Sequence, residues 1–231
     1  MKRALRFGAW LAVAAAALFL AVQLSYLARV WWWRDHDPRV TAFMEARLAQ
    51  MRSRDPAAKL RQVWVPYERI SASLKRAVVV AEDARFVDHE GFDWEAIEKA
   101  REKNAKKGRI VAGGSTISQQ LAKNLFLSPA RTPWRKGQEA LITVMIEHVM
   151  DKRRILEIYL NVIEWGDGVF GAEAAARHYY GVGAAAIGPE PAARLASMIP
   201  NPRYYDHHRN TRWLERKSQM ILARMPQAEL P

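Results

Sequence analysis

Between Arg6 and Arg29 the chain carries no charged residue, and the run from Phe7 to Ala28 is mostly Ala, Leu, Val and Phe. As a helix such a run reaches about 33 Å, enough to cross a hydrocarbon core of about 30 Å, and a water-soluble fold has few places to put it. Lys2, Arg3 and Arg6 precede it, which keeps the short tail cytoplasmic, and Trp31, Trp32 and Trp33 follow where an interfacial aromatic belt lies. A cleaved signal peptide is the alternative, but no clean small-x-small site precedes a polar stretch. Residues 1–33 therefore read as tail and transmembrane anchor, with the rest of the chain outside the cytoplasm.

The remainder of the 231 residues is enough for one domain with one core. The whole chain's 36 Lys and Arg against 24 Asp and Glu give a formal charge of +12, so acidic partners are expected: nucleic acid, anionic lipid or a phosphorylated substrate. The absence of Cys excludes disulfides and thiol chemistry. The six His form neither a zinc pattern nor an i,i+4 pair around a Glu, so no protein cage for a metal is expected.

Residues 34–62 are charged, with Val40, Phe43, Met44, Leu48 and Met51 at helical spacing; they predict an amphipathic helix lying near the membrane or packing on the domain. The domain proper reads as 63–231. Val63-Trp64-Val65-Pro66 is a short extended piece, and helices are predicted at 73–85, 94–103, 117–127, 134–150, 153–163, 172–179, 191–198 and 211–225. Strand signals are few, so the fold class is mainly α. Lys99, Arg101, Lys103, Lys106, Lys107 and Arg109 crowd a segment that reads either as a mobile basic loop beside a cleft or as a solvated helix end.

Two stretches carry chemistry. Gly113 to Asn124 reads GGSTISQQLAKN, in which two glycines allow a tight turn and Thr116 with Gln119 forms a capping box. Free N–H groups there are expected to face an anion. Upstream, Glu82 ends an apolar run from Ala77 to Ala81 and shares a helical face with Phe86 and His89. A carboxylate leaving an apolar helix is partly desolvated, which raises its pKa and suits it to accept a proton near neutral pH.

Taken together, Glu82-Asp83-x-x-Phe86-x-x-His89-x-Gly91 and Gly114-Ser115-Thr116-Ile117-Ser118-Gln119-Gln120-Leu121-x-Lys123-Asn124 resemble the peptidoglycan glycosyltransferases that polymerise lipid II, in their monofunctional biosynthetic form with one membrane anchor. Three more blocks extend the resemblance in order: Arg135-Lys136-x-x-Glu139 with Glu147; Lys152 to Asn161, running on to Gly166; and Gly171-x-Glu173-Ala174-Ala175 with Tyr179-Tyr180-Gly181, then Leu195 to Pro202. Ser118 stands where Thr is usual, Thr143 where Ala is common and Tyr180 where Phe is typical; none of these removes a charged or catalytic group. Val182-Gly183-Ala184 stands where the family often has a Lys.

The resemblance implies a lysozyme-like glycosyltransferase domain behind an N-terminal transmembrane helix. It implies that Glu82 is the general base for the GlcNAc 4-hydroxyl of lipid II. That oxygen attacks C1 of MurNAc at the reducing end of the growing glycan strand, displacing undecaprenyl diphosphate with inversion to form a β-1,4 bond. Glu139 is the second catalytic carboxylate. Asp83, Phe86, His89, Gly114, Ser115, Thr116, Gln119, Gln120 and Asn124 are implied substrate contacts, and Glu147 and Asn161 are read as scaffold.

A diphosphate leaves without a strong acid but needs positive charge on its oxygens, which Lys123, Arg131, Arg135 and Lys136 supply. Arg135 and Lys136 alternatively hold Glu139 in place. No cofactor is required by the sequence, with Mg²⁺ or Mn²⁺ on the substrate diphosphate a family option. The implied partners are lipid II and the glycan strand, the membrane, and transpeptidase and cell-wall synthesis complexes, with no nucleic acid. The implied location is the inner (cytoplasmic) membrane, single-pass, with the domain on the periplasmic side. No Ser-x-x-Lys block follows Pro202, so cross-linking is expected of another protein. Two other readings are kept: a lytic transglycosylase or lysozyme-type hydrolase, which pairs an acid with a base or nucleophile, and an anchored basic protein that grips anionic lipid or teichoic polymer without chemistry.

Overall fold

The computed structural model describes residues 2–109, 111, 113–130 and 132–231, with only the backbone at Lys2, Ala4 and Leu5. The apolar run becomes one long helix, α1 (Lys2–Asp35), which continues past the Trp cluster. Its apolar part, Arg6–Asp35, is 30 residues, or about 45 Å at 1.5 Å per residue, so its last turns stand clear of a bilayer core. Those turns dock on the domain. Val30 is fully buried, Tyr26 and Trp33 each pack on Phe126 with ring centroids 5.2 Å apart, and Gln23 donates to Gln138 at 2.9 Å. Trp31 and Trp32 stay exposed, as an interfacial belt requires.

The helix expected across 34–61 forms only at α2 (Ala42–Arg52), opened by Thr41, whose hydroxyl accepts from the Met44 N–H. Pro38 disfavours helix at the residue before it, and Pro56 closes the other side. Met44 enters the core while Val40 is exposed. The segment packs on the domain through Arg47, a buried guanidinium whose Nε donates to Glu164 Oε1 at 2.9 Å and which also pairs with Asp167.

After α2 comes β1 (Arg61–Gln62), two residues earlier than the extended piece expected at Val63–Pro66. It pairs parallel with β3 (Val169–Phe170), which is antiparallel to β2 (Glu164–Gly166). The Val65 backbone is satisfied instead by the fully buried Asn161, whose amide accepts from its N–H at 3.0 Å and donates to its carbonyl at 2.9 Å. That is the scaffold role expected of Asn161.

Helices build the rest. α3 (Ala72–Glu82) packs against α9 (Pro189–Met198) and α11 (Arg212–Arg224), while α5 (Ile117–Phe126) lies against α6 (Pro133–Val149) and α7 (Lys152–Val162). Leu74, Val78, Ile117, Leu121, Ile146 and Leu156 are among the side chains that close one continuous core. α8 (Ala172–Tyr180) and α10 (Pro202–His207) flank the small sheet.

Two helix ends differ from the sequence reading. α3 stops at Glu82 because Asp83 turns away at φ −164°, so Phe86 and His89 do not continue its face. α4 (Trp94–Lys107) runs on until Gly108, at φ +62°, closes it in the left-handed conformation that glycine adopts without strain. The basic residues from Lys99 to Lys107 are therefore a solvated helix end and not a loop.

Candidate active site

A cleft of about 920 Å³ separates α5 and the start of α6 from a facing wall of Phe43, Glu164 and residues 199–203. A smaller cleft of about 440 Å³ lies beside it, walled by the end of α3, the start of α4 and Gly113 to Thr116. Ser115 lines both. Glu82 lies in the smaller one, and the cations lie in the larger.

Glu82 is the last residue of α3, and Gln120 on α5 donates to its Oε2 at 2.9 Å. The Gln120 carbonyl in turn accepts from the fully buried Tyr159 hydroxyl at 2.9 Å, so the amide cannot flip and the carboxylate has a fixed orientation. Burial pushes the Glu82 pKa up, and the Gln120 hydrogen bond, then the positive charges of Lys217 and Lys123, offset that only in part. This is the desolvated carboxylate the apolar run implied.

The neighbouring residues are committed elsewhere. Asp83 is buried and takes the His89 Nε2–H at 3.0 Å and the Ile117 N–H at 2.9 Å. The Gly91 N–H donates to His89 Nδ1 at 3.1 Å, which fixes the imidazole as the Nε2–H tautomer. The Thr116 hydroxyl accepts from the Gln119 N–H and donates to the Gly91 carbonyl at 2.7 Å, and the Thr116 N–H donates the return bond of the capping box to Gln119 Oε1 at 3.1 Å. The start of α5, expected to offer free N–H groups to an anion, is thus occupied by Asp83. Phe86, expected in the saccharide groove, is fully enclosed, with Lys152 over its ring. Asp83 ties the 83–91 loop to α5, and His89, bonded to Asp83, packs edge-on against Phe86, which has no surface with which to touch a ligand. Gly114 is needed for closeness, since a Cβ there would come within 2.8 Å of the Ile97 Cα.

In the larger cleft Lys123, Asn124, Arg135, Lys136 and Glu139 come together as expected. Glu139 is buried and held by Arg135 Nη1 at 2.6 Å and by Lys136 Nζ, which also reaches Ser115 Oγ at 3.4 Å. Both cations therefore hold Glu139 in place. Burial lowers the Lys123 pKa, with Glu139 the strongest charge opposing that shift. Three cations against one carboxylate leave this wall net positive. Asn124 donates to the main-chain carbonyl of Gln120 at 2.7 Å, one turn back along α5. Glu147 is scaffold, bound by Ser118 and by Lys152 at 2.8 Å. Arg131 lies outside the described residues.

Sequence reasoning missed the facing wall. Glu164, Phe43 and Arg203 line the cleft, and Lys217 on α11 acts electrostatically on Glu82. Each arrives by tertiary packing from an element remote in sequence. The one local signal was Arg203 directly after the Asn201-Pro202 pair that ends the last matched block. Among the described residues no cluster of three acidic or His side chains fits a metal ion. Glu139, the acidic group on the cationic wall, is already taken by two cations, so the donor set does not suit a protein-held Mg²⁺ or Mn²⁺.

A family model described as Transglycosylase matches residues 47–226. A protein named biosynthetic peptidoglycan transglycosylase from Chromobacterium violaceum is 62% identical over 218 residues, covering 94% of this chain and 96% of that one. Proteins of the same name from Dechloromonas aromatica and Laribacter hongkongensis are 64% identical over 214 residues and 63% identical over 215. They align with 93% of this chain in each case, and with 93% and 94% of their own lengths.

Proposed function

The chain belongs to the transglycosylase family, and from that premise we propose how its clefts polymerise glycan strands from lipid II. It is a peptidoglycan glycosyltransferase of the biosynthetic kind, and nothing in its relatives favours the lytic alternative.

Glu82 is the general base. Its carboxylate, desolvated and oriented by Gln120, takes the proton of the GlcNAc 4-hydroxyl of lipid II bound in the smaller cleft. The oxygen attacks C1 of the MurNAc at the reducing end of the strand, whose diphosphate lies along Lys123, Arg135 and Lys136 in the larger cleft. The C1–O bond to phosphate breaks, C1 inverts, and undecaprenyl diphosphate leaves stabilised by those cations. Glu139 keeps Arg135 and Lys136 on one side of the cleft, while Arg131 adds a further cation, and Gln119 and Asn124 meet sugar hydroxyls. Mg²⁺ or Mn²⁺ would be held by the oxygens of the substrate diphosphate, where it would supply further neutralising charge. Residues 1–33 anchor the chain in the inner membrane, with 34–62 joining them to the domain over 63–231 on the periplasmic side, where transpeptidases and other wall-synthesis proteins receive the strand.

The observation that carries this reading is the juxtaposition, across Ser115, of a burial-raised carboxylate with a cation-lined cleft. The test is the purified chain with labelled lipid II, its products resolved on a gel. Wild type gives polymer, and Glu82→Gln, folded and still binding substrate, loses at least about 100-fold in rate, the lower range for a lost general base. Near-normal turnover in that variant removes Glu82 from the role.

A further inference from the structure

A third cleft, of about 680 Å³, runs between α1 and α6. Its α1 wall is Ala15, Leu18, Phe19, Val22, Gln23 and Tyr26, three and four residues apart, so one stripe of the anchor helix forms one side. Phe126 and Trp134 are prominent on the other side, and Trp134 meets Phe19 at 6.1 Å between ring centroids. The lining is mostly apolar, and Ala15, Leu18, Phe19 and Val22 sit inside the uncharged run, at the depth of the hydrocarbon.

This groove adjoins the cationic cleft, since Thr132 and Arg135 line both. Arg135 stands at the junction. Its Nη1 is taken by Glu139, but its Nε is buried without a hydrogen-bond partner among the described residues. A buried N–H left unpaired is costly, and a phosphate oxygen at the junction satisfies it. The combined surface is apolar at one end and cationic at the other, the complement of a polyprenyl diphosphate.

We propose that the groove between α1 and α6 seats the isoprene units nearest the diphosphate, so that the tail and headgroup of the substrate lie on one surface and the anchor helix is part of the substrate site. This rests on the reading of the substrate as a polyprenyl diphosphate glycan. In a bilayer the tail gains no hydrophobic free energy by leaving lipid for protein, so the groove acts through shape-matched packing. Its effect is to position the diphosphate and to discriminate tail length.

The test uses the full chain in detergent micelles and two substrates, lipid II with its full tail and an analogue with a tail of about two isoprene units. Ala15→Phe fills the deep end of the groove. It should raise KM for the full-tailed substrate by about three- to tenfold, the scale of lost packing and not of a lost driving force, with kcat held and the short-tailed KM unchanged. Ala17→Phe, placed on the opposite face of α1, should change neither. An equal effect on both substrates, no effect on the full-tailed one, or the same effect from Ala17→Phe overturns the proposal. A wild-type enzyme that polymerises neither substrate fails the functional reading instead. For a variant that does not fold, photo-crosslinking of the wild type with a diazirine on the third isoprene decides: adducts confined to 15–26 and 126–138 support the groove, and adducts spread around α1 refute it.

Discussion

Glu82 and Lys123 are shifted in opposite directions by one cause, since burial penalises whichever form is charged and each offsets a little of the other's penalty. The folded protein therefore holds the Glu82 proton more tightly than the unfolded chain does. Glu82 costs stability as pH rises from its unfolded pKa through its folded one, and above that the penalty is fully present. Glu82→Gln should accordingly raise the melting temperature at neutral pH, by an amount that shrinks toward pH 4, while wild-type kcat/KM falls on acidification with a midpoint above the ordinary carboxylate range. A variant less stable than wild type at pH 7 contradicts this assignment. Arg135 differs from Lys123 in what it leaves behind. Lys123→Ala should lower turnover at least about tenfold, near 1.4 kcal/mol of lost diphosphate stabilisation, with little change in melting temperature. Arg135→Ala strands the buried Glu139 with only the half-exposed Lys136 and should cost about 3 kcal/mol of stability as well. Thermal unfolding beside a polymerisation assay separates them, and equal melting temperatures for the two variants would show that Arg135 is not the structural partner of Glu139.

At the level of elements, what is local was legible and what is tertiary was not. The α5 cap could be read from Thr116 and Gln119 because both of its bonds close within four residues. The length of α3 could not, because the Asp83 side chain is drawn to the Ile117 N–H 34 positions away and pulls the chain out of the helix. The same bond puts one of the chain's own carboxylates, Asp83, at the start of α5, on the Ile117 N–H. α2 is the clearest case of an element whose role appears only in the fold, since Arg47 reaches Glu164 and Asp167 across more than a hundred residues. Burial raises the Glu164 pKa and the Arg47 hydrogen bond and charge oppose it, so the pair fixes one wall of the cleft as a unit. Arg47→Ala leaves Glu164 buried without its main partner and should cost about 3–5 kcal/mol. The double change of Arg47→Met with Glu164→Leu should recover most of that. Denaturant melts of the three proteins test it, and a double variant no more stable than Arg47→Ala would mean that α2 is held by its apolar contacts alone.

At the level of the whole molecule the anchor and the catalytic domain share a core, which the division at residue 33 did not foresee. Val30, Trp33 and Tyr26 pack on the domain, whereas the first half of α1 faces outward except along the groove stripe. The uncharged run is long and apolar enough for a membrane span by composition alone, but composition is silent about where so long a helix would leave a bilayer and what it then touches. A substrate with a polyprenyl tail stays in the bilayer, so a tethered enzyme meets it by diffusion in two dimensions, and this advantage should be separable from the packing of α1. Removing residues 2–21 keeps Val30 and Trp33 in place but leaves too little apolar helix to span about 30 Å. In detergent micelles, where enzyme and lipid II share one particle, the truncated protein should stay folded and keep its kcat, with KM raised at least as much as by Ala15→Phe, because the deletion removes Ala15, Leu18 and Phe19 from the groove wall. On lipid II in liposomes its rate should fall well below that of Ala15→Phe, since only the truncation also loses the tether. Some activity should persist there, carried by Trp31 and Trp32 at the interface. Equal liposome rates for the truncated protein and Ala15→Phe would show that the domain finds the membrane through its own surface and that the span contributes only its groove.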